Sequence, residues 1–180
     1  MRLFLAFDLD QKDKDRLKLT LHKIKKDFPL EKWIPEENWH LTLAFLGNIY
    51  DDETIKQLAS LLQIVSKKQP TITTTIYKID FAPPQTIVKR MIWAYLKNTE
   101  ELENIYQKIK TSLNKMNIQQ ISQNNFLPHI NLVRLQKTYK NKQLNQQTNI
   151  NITLQTITLY QSILRPEGAK YVPLSSAKLN

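Results

Sequence analysis

The sequence predicts an α+β fold built from two similar halves. Segments that alternate apolar and polar residues, as half-buried strands do, are interspersed with segments whose apolar residues recur at helical spacing. The order strand, helix, strand, strand occurs about twice, and each half ends in a strand that carries a histidine, His40 or His129. We therefore expect an α+β duplication that forms two sheets with a cleft between them.

The first half of the chain begins with a strand and a helix. The predicted elements are a strand over 2–7, a helix opened by Asp10 and closed by Pro29, a short strand at 33–34 and a strand over 39–46. Regular alternation in the last strand places Leu41, Leu43 and Phe45 on one face and His40, Thr42 and Ala44 on the other. His40 and Thr42 therefore share a face.

The remaining elements follow the same logic. They are a helix capped by Asp51 or Asp52, strands over 71–81 and 86–96 joined by a proline turn, a helix opened by Asn98 with Glu101, a strand over 129–133, a polar loop over 140–149, a strand over 152–160 and an edge strand over 171–174. No low-complexity linker divides the chain. A chain of 180 residues with this organisation is expected to form one compact unit.

Composition narrows the classes of function. The chain has no cysteine, which excludes disulfides, thiolate metal sites and a cysteine nucleophile. Its first residues, MRLFLAFDLD, resemble neither a signal peptide nor a membrane span, so we expect a cytoplasmic protein that does not bind a membrane. The formal charge of +10 favours a polyanionic partner such as nucleic acid, although lysines scattered over helices can equally be solvated surface.

The two histidine strands suggest acid–base chemistry. Residues i and i+2 of a strand point to the same side, so His40 is aligned with Thr42 and His129 with Asn131. Two imidazoles facing one cleft can act as base and acid on opposite sides of a phosphorus atom, and the neighbouring polar side chains can donate to its oxygens. A single histidine in an apolar strand is more often a packed core residue, but two at matching positions are harder to explain by packing alone.

Other sites are less strongly supported by the sequence. His22 falls on the polar side of a lysine-rich helix and is expected to be a surface residue. Neither histidine strand has the His-x-His spacing or the clustered carboxylates of a metal site, so a metal-dependent hydrolase is disfavoured.

The segments HLTLAFLG and FLPHINLVR together resemble the paired signature of the 2H phosphoesterase superfamily, in particular its RNA 2′,3′-cyclic phosphodiesterase branch, historically called 2′-5′ RNA ligases. The similarity extends to MRLFLAFDL, WIPEENWH, RMIWAYL and YQSILRPEGAKYVPL, and so runs nearly end to end. The resemblance implies the bilobal, pseudo-symmetric LigT-like fold, in which two antiparallel sheets line a central cleft and the helices lie outside. Residues 1–180 would form a single domain of two intertwined lobes around a basic cleft. It implies no cofactor and no metal.

The resemblance also implies roles for the site residues. His40 would be the proton donor to the leaving oxygen and His129 the proton acceptor from water, which opens a terminal 2′,3′-cyclic phosphate on RNA to a 2′-phosphomonoester. Thr42, Asn131 and Arg134 would bind the phosphate, and Phe45 would be either a core residue or a base-stacking surface. Asn131 departs from the family pattern of Thr or Ser, which puts turnover in doubt. Strict alternation would point Arg134 away from His129 unless the strand bulges.

Several alternatives stay open at this stage. The substrate could be an RNA end, a small cyclic nucleotide such as an ADP-ribose derivative, or a 2′-5′ linkage made or broken reversibly. A different class of function is a catalytically weakened module that binds RNA ends or nucleotides through charge and stacking. We expect a monomer, although the sequence does not decide the oligomeric state.

Overall fold

The computed structural model describes residues 1–118, 126–140, 142–166 and 168–180. The elements are β1 (Arg2–Asp8), α1 (Gln11–Asp27), β2 (Lys32–Trp33), β3 (His40–Asn48), α2 (Asp52–Ser66), β4 (Ile72–Ala82), β5 (Val88–Leu96), α3 (Glu100–Lys115), β6 (His129–Lys140), β7 (Gln146–Leu154), β8 (Thr156–Arg165) and β9 (Gly168–Lys178). A short 3₁₀ turn, Glu36–Asn38, precedes β3. The predicted α+β class is confirmed.

The strands form two antiparallel halves that are joined at their centre. In the part of the chain that the structure describes, the strand order is β7-β4-β5-β6-β3-β1-β8-β9, with β2 paired to Val133 and Arg134 in the middle of β6. The halves meet where β3 and β6 share the single bridge pair Leu41 and Ile130. The two predicted sheets are therefore continuous with each other through the two histidine strands, which become the innermost strands of the molecule.

Short polar side chains fix where the helices begin. Asp10 accepts a hydrogen bond from the backbone N–H of Asp13 at 2.8 Å, and Asp51 accepts one from the N–H of Thr54 at 2.7 Å. Each cap of this kind stabilises a helix by about 1 kcal/mol. The expectation that Asn98 caps α3 is wrong, because Thr99 occupies the cap and accepts from the N–H of Leu102. Threonine is also a preferred cap residue, and Thr99 directly precedes the first residue of the helix.

The helices bury the sheet face that carries Leu41 and Ile130. Apolar side chains of all three helices join this core: Leu17, Leu21 and Ile24 from α1, Leu58, Leu62 and Val65 from α2, and Leu102, Ile105, Ile109 and Leu113 from α3. Each fully buried leucine or isoleucine contributes about 1.5 to 3 kcal/mol. Since α1 contacts β7 while α2 contacts β8 and β9, each of these helices packs beside strands that come from the end of the chain.

Two strand boundaries differ from the sequence prediction. The polar segment 140–149 is only partly a loop, because β6 extends to Lys140 and β7 begins at Gln146. The alternating run 152–160 is not one strand: it breaks at Gln155 into β7 and β8, which lie in opposite halves of the sheet. The predicted edge strand near the end of the chain is confirmed as β9, which is longer than expected.

Candidate active site

Four polar side chains converge where the two halves of the sheet meet. Leu41 and Ile130 are bridge partners, and both point into the core. His40 and Thr42 flank Leu41, while His129 and Asn131 flank Ile130, so these four side chains leave the opposite face of the sheet. We call this set, His40, Thr42, His129 and Asn131, the histidine quartet. All four residues are partly buried.

A bulge in each motif strand changes which residues face the cleft. In β3, Ala6 pairs with Thr42 but Leu5 pairs with Ala44, so Leu43 is the extra residue. The strand parity is reversed beyond such a bulge. Phe45 therefore lies on the same side as His40, and the sequence prediction that grouped it with Leu41 and Leu43 is wrong.

The second motif strand contains a matching bulge. In β6, Trp93 pairs with Asn131 but Ile92 pairs with Val133, which leaves Leu132 as the extra residue. Arg134 is thereby brought to the His129 face and is exposed. The burial sequences of β3 and β6 are the same over their first seven residues, which supports the pseudo-symmetry of the two halves.

His40 is held by two hydrogen bonds. Its Nδ1 lies 2.7 Å from the carbonyl oxygen of Asn38, and its Nε2 lies 3.1 Å from the hydroxyl of Thr42. Because a carbonyl can only accept, Nδ1 carries the proton in the neutral ring, and Thr42 donates to Nε2. The pKa of His40 is lowered to about 4, mainly by burial; the neighbouring His129 and Lys14 also lower it, while the hydrogen bond to the Asn38 carbonyl acts to raise it.

His129 has the same backbone anchor and a different neighbour. Its Nδ1 donates to the carbonyl oxygen of Leu127 at 2.8 Å, which leaves Nε2 as the unprotonated nitrogen. Its ring stacks on the indole of Trp93, with centroids 3.6 Å apart and an interplanar angle of 17°. Burial lowers the pKa of His129, with the Leu127 carbonyl acting in the opposite direction. A neutral imidazole in this orientation is suited to accept a proton.

Aromatic side chains surround His40. The ring of Phe4 lies 5.0 Å from the His40 ring, 5.2 Å from Tyr160 and 4.9 Å from Tyr171. Phe45 extends this set, with its ring 6.2 Å from Phe4, and is 44% exposed. We call Phe4, Phe45, Tyr160 and Tyr171 the aromatic cluster. Its exposed faces provide a surface on which a base or ribose could pack.

A cavity of about 210 Å³ lies beside His40 and the aromatic cluster. Asp8 is part of its wall and accepts from the hydroxyls of Tyr160 at 2.8 Å and Thr158 at 2.7 Å. Burial raises the pKa of Asp8 in spite of these two donors. Lys14 and Glu37 also line the cavity, so its wall carries no excess of positive charge.

Polar atoms without partners mark the His129 side of the site. Among the described residues, three buried side-chain atoms have no hydrogen-bond partner: the Asn131 oxygen, the Trp93 indole nitrogen and, at the end of α2, the Ser66 hydroxyl. Asn131 and Trp93 are paired across β5 and β6. An unpartnered buried group of this kind is uncommon in folded proteins and is found at sites built for a ligand or for catalysis. The amide nitrogen of Asn131 is then the end of the side chain that is left to contact the cleft.

Arg134 is close enough to the opposite half of the sheet to act on it electrostatically. Burial raises the pKa of Tyr171, whereas the positive charges of Arg134 and Arg2 act to lower it. Tyr171 belongs to β9, in the half of the sheet that carries His40, and its ring centroid lies 5.2 Å from that of His40. The positive charge of Arg134 is therefore near enough to Tyr171 to act on it, and a guanidinium is a donor that can bind a phosphate in a bidentate manner.

The remaining predicted sites are simpler to describe. His22 is exposed on α1, as expected. Within 1–118, 126–140, 142–166 and 168–180, no three histidine, aspartate or glutamate side chains converge as metal ligands. None of the helices in the same ranges is long and apolar enough to cross a lipid bilayer.

The sequence analysis missed Trp93, Phe4, Tyr160 and Tyr171 as parts of the site. Trp93 could have been found from alternation, since residues 91, 93 and 95 share one face of a strand. The strand pairing that puts this face beside His129 has no local signal. The aromatic cluster combines strands from both ends of the chain, so only the fold brings it together.

Comparisons with known proteins show which family the chain resembles. The model of the LigT-like phosphoesterase family matches residues 9–93. A Thermotoga maritima protein named RNA 2′,3′-cyclic phosphodiesterase is 27% identical and covers 95% of this chain and 91% of its own length. An Aquifex aeolicus protein of the same name is 30% identical over 69% of this chain and 66% of its own length.

Solved structures show the same fold over the whole chain. A Thermus thermophilus protein superposes with a TM-score of 0.85 at 21% identity, covering 99% of this chain and 98% of its own. Escherichia coli LigT complexed with 3′-AMP superposes with a TM-score of 0.77 at 26% identity, covering 99% and 97%. Together with the histidine quartet, these similarities show that the chain is a hydrolase that belongs to the LigT-like phosphoesterases of the 2H phosphoesterase superfamily.

Proposed function

We propose that the protein is an RNA 2′,3′-cyclic phosphodiesterase that opens a terminal 2′,3′-cyclic phosphate to a 2′-phosphomonoester without a metal. The observation that carries the proposal is the histidine quartet, in which two imidazoles and two polar side chains share one face at the junction of the sheet halves. Opening a cyclic phosphodiester needs a base for the entering water and an acid for the leaving oxygen. The curated relatives' names support this choice of substrate.

In the proposed reaction His129 is the base. Its Nδ1–H is tied to Leu127, so the lone pair on Nε2 is available to take a proton from water. Stacking on Trp93 limits rotation of the imidazole out of this orientation. As the water oxygen bonds to phosphorus, the proton passes to Nε2 of His129.

His40 is the proposed acid. For this role it must be protonated at Nε2 while Nδ1 keeps its bond to the Asn38 carbonyl. Burial disfavours that cation in the free protein. A bound phosphate anion favours it, because an opposite charge within a few ångströms stabilises the protonated imidazole. The P–O3′ bond then breaks and the proton moves from His40 to O3′.

The other residues of the site are proposed to stabilise the charge on the phosphate and to position the substrate. Thr42 and Asn131 are proposed to donate to the non-bridging oxygens of the phosphate, and Arg134 to neutralise the charge that grows on them. Phe45 is proposed to stack on the base at the exposed side of the aromatic cluster. We propose further that residues 1–180 act as one monomeric domain in the cytoplasm.

The same acid and base can run a second reaction. If the 5′-hydroxyl of another strand replaces water, its proton passes to His129 and a 2′-5′ linkage forms while O3′ leaves. Reversible 2′-5′ ligation is therefore part of the proposal, with hydrolysis favoured by the concentration of water. Small cyclic nucleotides remain alternative substrates of the same chemistry.

The test is hydrolysis of an oligoribonucleotide that ends in a 2′,3′-cyclic phosphate, in the presence of EDTA and with product phosphates resolved. The wild type is compared with His40→Ala and His129→Ala, and His22→Ala serves as the matched control. We expect a 2′-phosphate from the wild type and the control, and a loss of at least about 100-fold in each site variant.

The second candidate function is a catalytically weakened module that binds RNA ends. The unpartnered oxygen of Asn131 favours it, because the family's hydroxyl donor is absent at that position. Tight binding of the cyclic-phosphate oligonucleotide without turnover by the wild type would support this module and overturn the enzyme. Near-normal turnover in either histidine variant would overturn the two-histidine mechanism.

A further inference from the structure

A second cavity of about 420 Å³ lies on the cleft face of the half that carries His129. Lys78 and Tyr95 contribute side chains from β4 and β5, and Lys89 and Lys142 contribute positive charge nearer the β4–β5 turn. The only carboxylate among its lining residues is Asp80. We call this space the lysine cavity. None of its residues belongs to the histidine quartet.

The lysine cavity has an excess of positive charge that the other half lacks. Three lysines outnumber one aspartate, whereas Lys14 in the cavity beside His40 is matched by Asp8 and Glu37. The pKa of Asp80 is lowered: burial alone would raise it, but three backbone N–H donors and Lys78 outweigh burial. Asp80 is therefore ionised, and the cavity still carries two more positive than negative side chains.

Two of the lysines are held in place by the protein. The ammonium of Lys78 lies 3.3 Å from a carboxylate oxygen of Asp80 and 4.9 Å from the ring centroid of Tyr95. Lys89 donates to the carbonyl oxygens of Pro83 at 2.9 Å and Pro84 at 3.2 Å. An ammonium has three donors, so each of these lysines keeps at least one for a ligand. Holding the charges in advance lowers the entropic cost of binding an anion.

The lysine cavity adjoins the proposed reaction centre. Tyr95 lies opposite His129 in the β5–β6 pairing, and Lys78 lies opposite Tyr95 in the β4–β5 pairing. Two strand spacings of about 4.8 Å place the Lys78 backbone about 10 Å from that of His129. Arg134, opposite Met91 on β5, adds a positive charge to the same face. A polyanion bound at the histidine quartet can therefore reach these charges.

We propose that the lysine cavity binds an internal phosphodiester of the RNA strand whose terminal cyclic phosphate reacts at the histidine quartet. This inference rests on the proposed function and names the part of the substrate that the quartet does not contact. A strand that enters the cleft carries one negative charge per nucleotide, and fixed ammonium groups bind phosphates as point charges. The protein would then prefer a strand end over a cyclic mononucleotide.

The experiment compares a cyclic mononucleotide with a short oligoribonucleotide that ends in the same nucleotide. The test variant is Lys89→Gln with Lys142→Gln, and the matched control is Lys56→Gln with Lys110→Gln, which removes the same charge from exposed positions on α2 and α3. We expect the ratio of kcat/KM for oligonucleotide to mononucleotide to fall about tenfold in the test variant only. In the test variant, a plot of log kcat/KM for the oligonucleotide against log salt concentration should be shallower by about 0.7 per lost phosphate contact.

A second variant covers the case in which loss of the Lys89 contacts unfolds the protein. Lys142→Glu reverses one exposed charge and leaves Lys89 and its carbonyl partners in place. Binding of a labelled oligoribonucleotide with a terminal 2′-phosphate, followed by fluorescence anisotropy, should weaken about tenfold in this variant. This readout requires no turnover.

The outcomes separate the two proposals. Suppose that the wild type opens the mononucleotide, and that all variants keep the wild-type ratio of kcat/KM for oligonucleotide to mononucleotide and the wild-type affinity for the labelled strand. The lysine cavity is then not a strand site, and the proposed function stands. If the wild type opens neither substrate, the proposed function fails. Weaker strand binding in Lys142→Glu, with the helix control unaffected, would support the cavity in either case.

Discussion

The lowered pKa of His40 makes the stability of the protein depend on pH. Its imidazole stays neutral in the folded protein down to a pKa of about 4, whereas in the unfolded chain it takes up a proton near pH 6.5. The unfolded state therefore binds more protons between these values, and stability is lost as the pH falls through this window. At about 1.4 kcal/mol per pH unit, His40 accounts for a loss of about 2 to 3 kcal/mol, after allowance for its partial exposure.

The assay is urea unfolding of the wild type and of His40→Gln at pH 7.5 and pH 4.5. Other groups also titrate in this range, so the informative quantity is the difference between the two proteins in their loss of unfolding free energy. We expect the variant to lose about 2 to 3 kcal/mol less than the wild type, because glutamine does not titrate. His22→Gln, at an exposed position, should behave as the wild type. An equal loss in wild type and His40→Gln would refute the burial argument.

Three further predictions follow from the site and its supports. Since burial lowers the pKa of both His40 and His129, kcat/KM should be highest below pH 6.5 and fall about tenfold per pH unit above it as the acid loses its proton; a plateau to pH 8 contradicts this. Asn131→Thr should raise kcat by up to about tenfold in a steady-state assay by restoring a hydroxyl donor, and an unchanged rate would mean that asparagine is adapted to this site. Asp80→Asn should lower the unfolding free energy by about 1 to 3 kcal/mol in urea, because the carboxylate accepts from the backbone of Leu144 and Phe81; an unchanged midpoint would argue against that role.

Local signals were enough to predict most elements of the fold. Asp10 and Asp51 precede helical apolar patterns and cap α1 and α2, because a carboxylate before a first turn satisfies free backbone N–H groups. The strand around His40 was visible from alternation, since one face of each sheet half is buried and the other faces the cleft. The spacing of apolar residues reveals which face of an element is buried. Because each of these strands and helices buries one face, the spacing was enough to predict them.

Features set by strand pairing could not be predicted in the same way. The bulges at Leu43 and Leu132 depend on what lies opposite, and they decide that Phe45 and Arg134 face the cleft. The sequence pattern does not indicate the break at Gln155 either, because the residues on both sides of it alternate in the same manner. Trp93 joins the site only because β5 is the neighbour of β6. Such contacts are non-local, and a single sequence contains no direct record of them.

The motif strands of the two halves match in their bulges and burial patterns but carry different side chains. This difference bears on which side of the phosphorus each reacting group occupies. At equivalent positions after the bulges, the His40 strand carries Phe45 and the His129 strand carries Arg134. An in-line reaction needs two imidazoles on opposite sides of phosphorus, but its two sides are not alike: one holds the ribose and base of the leaving oxygen, the other holds water. In the proposed mechanism, an aromatic surface on the acid's side and a cationic surface on the base's side would fit that asymmetry, with the terminal nucleoside on the His40 half. The matching strands β3 and β6 place the paired histidines, and the difference between Phe45 and Arg134 at equivalent positions would then give the proposed reaction its direction.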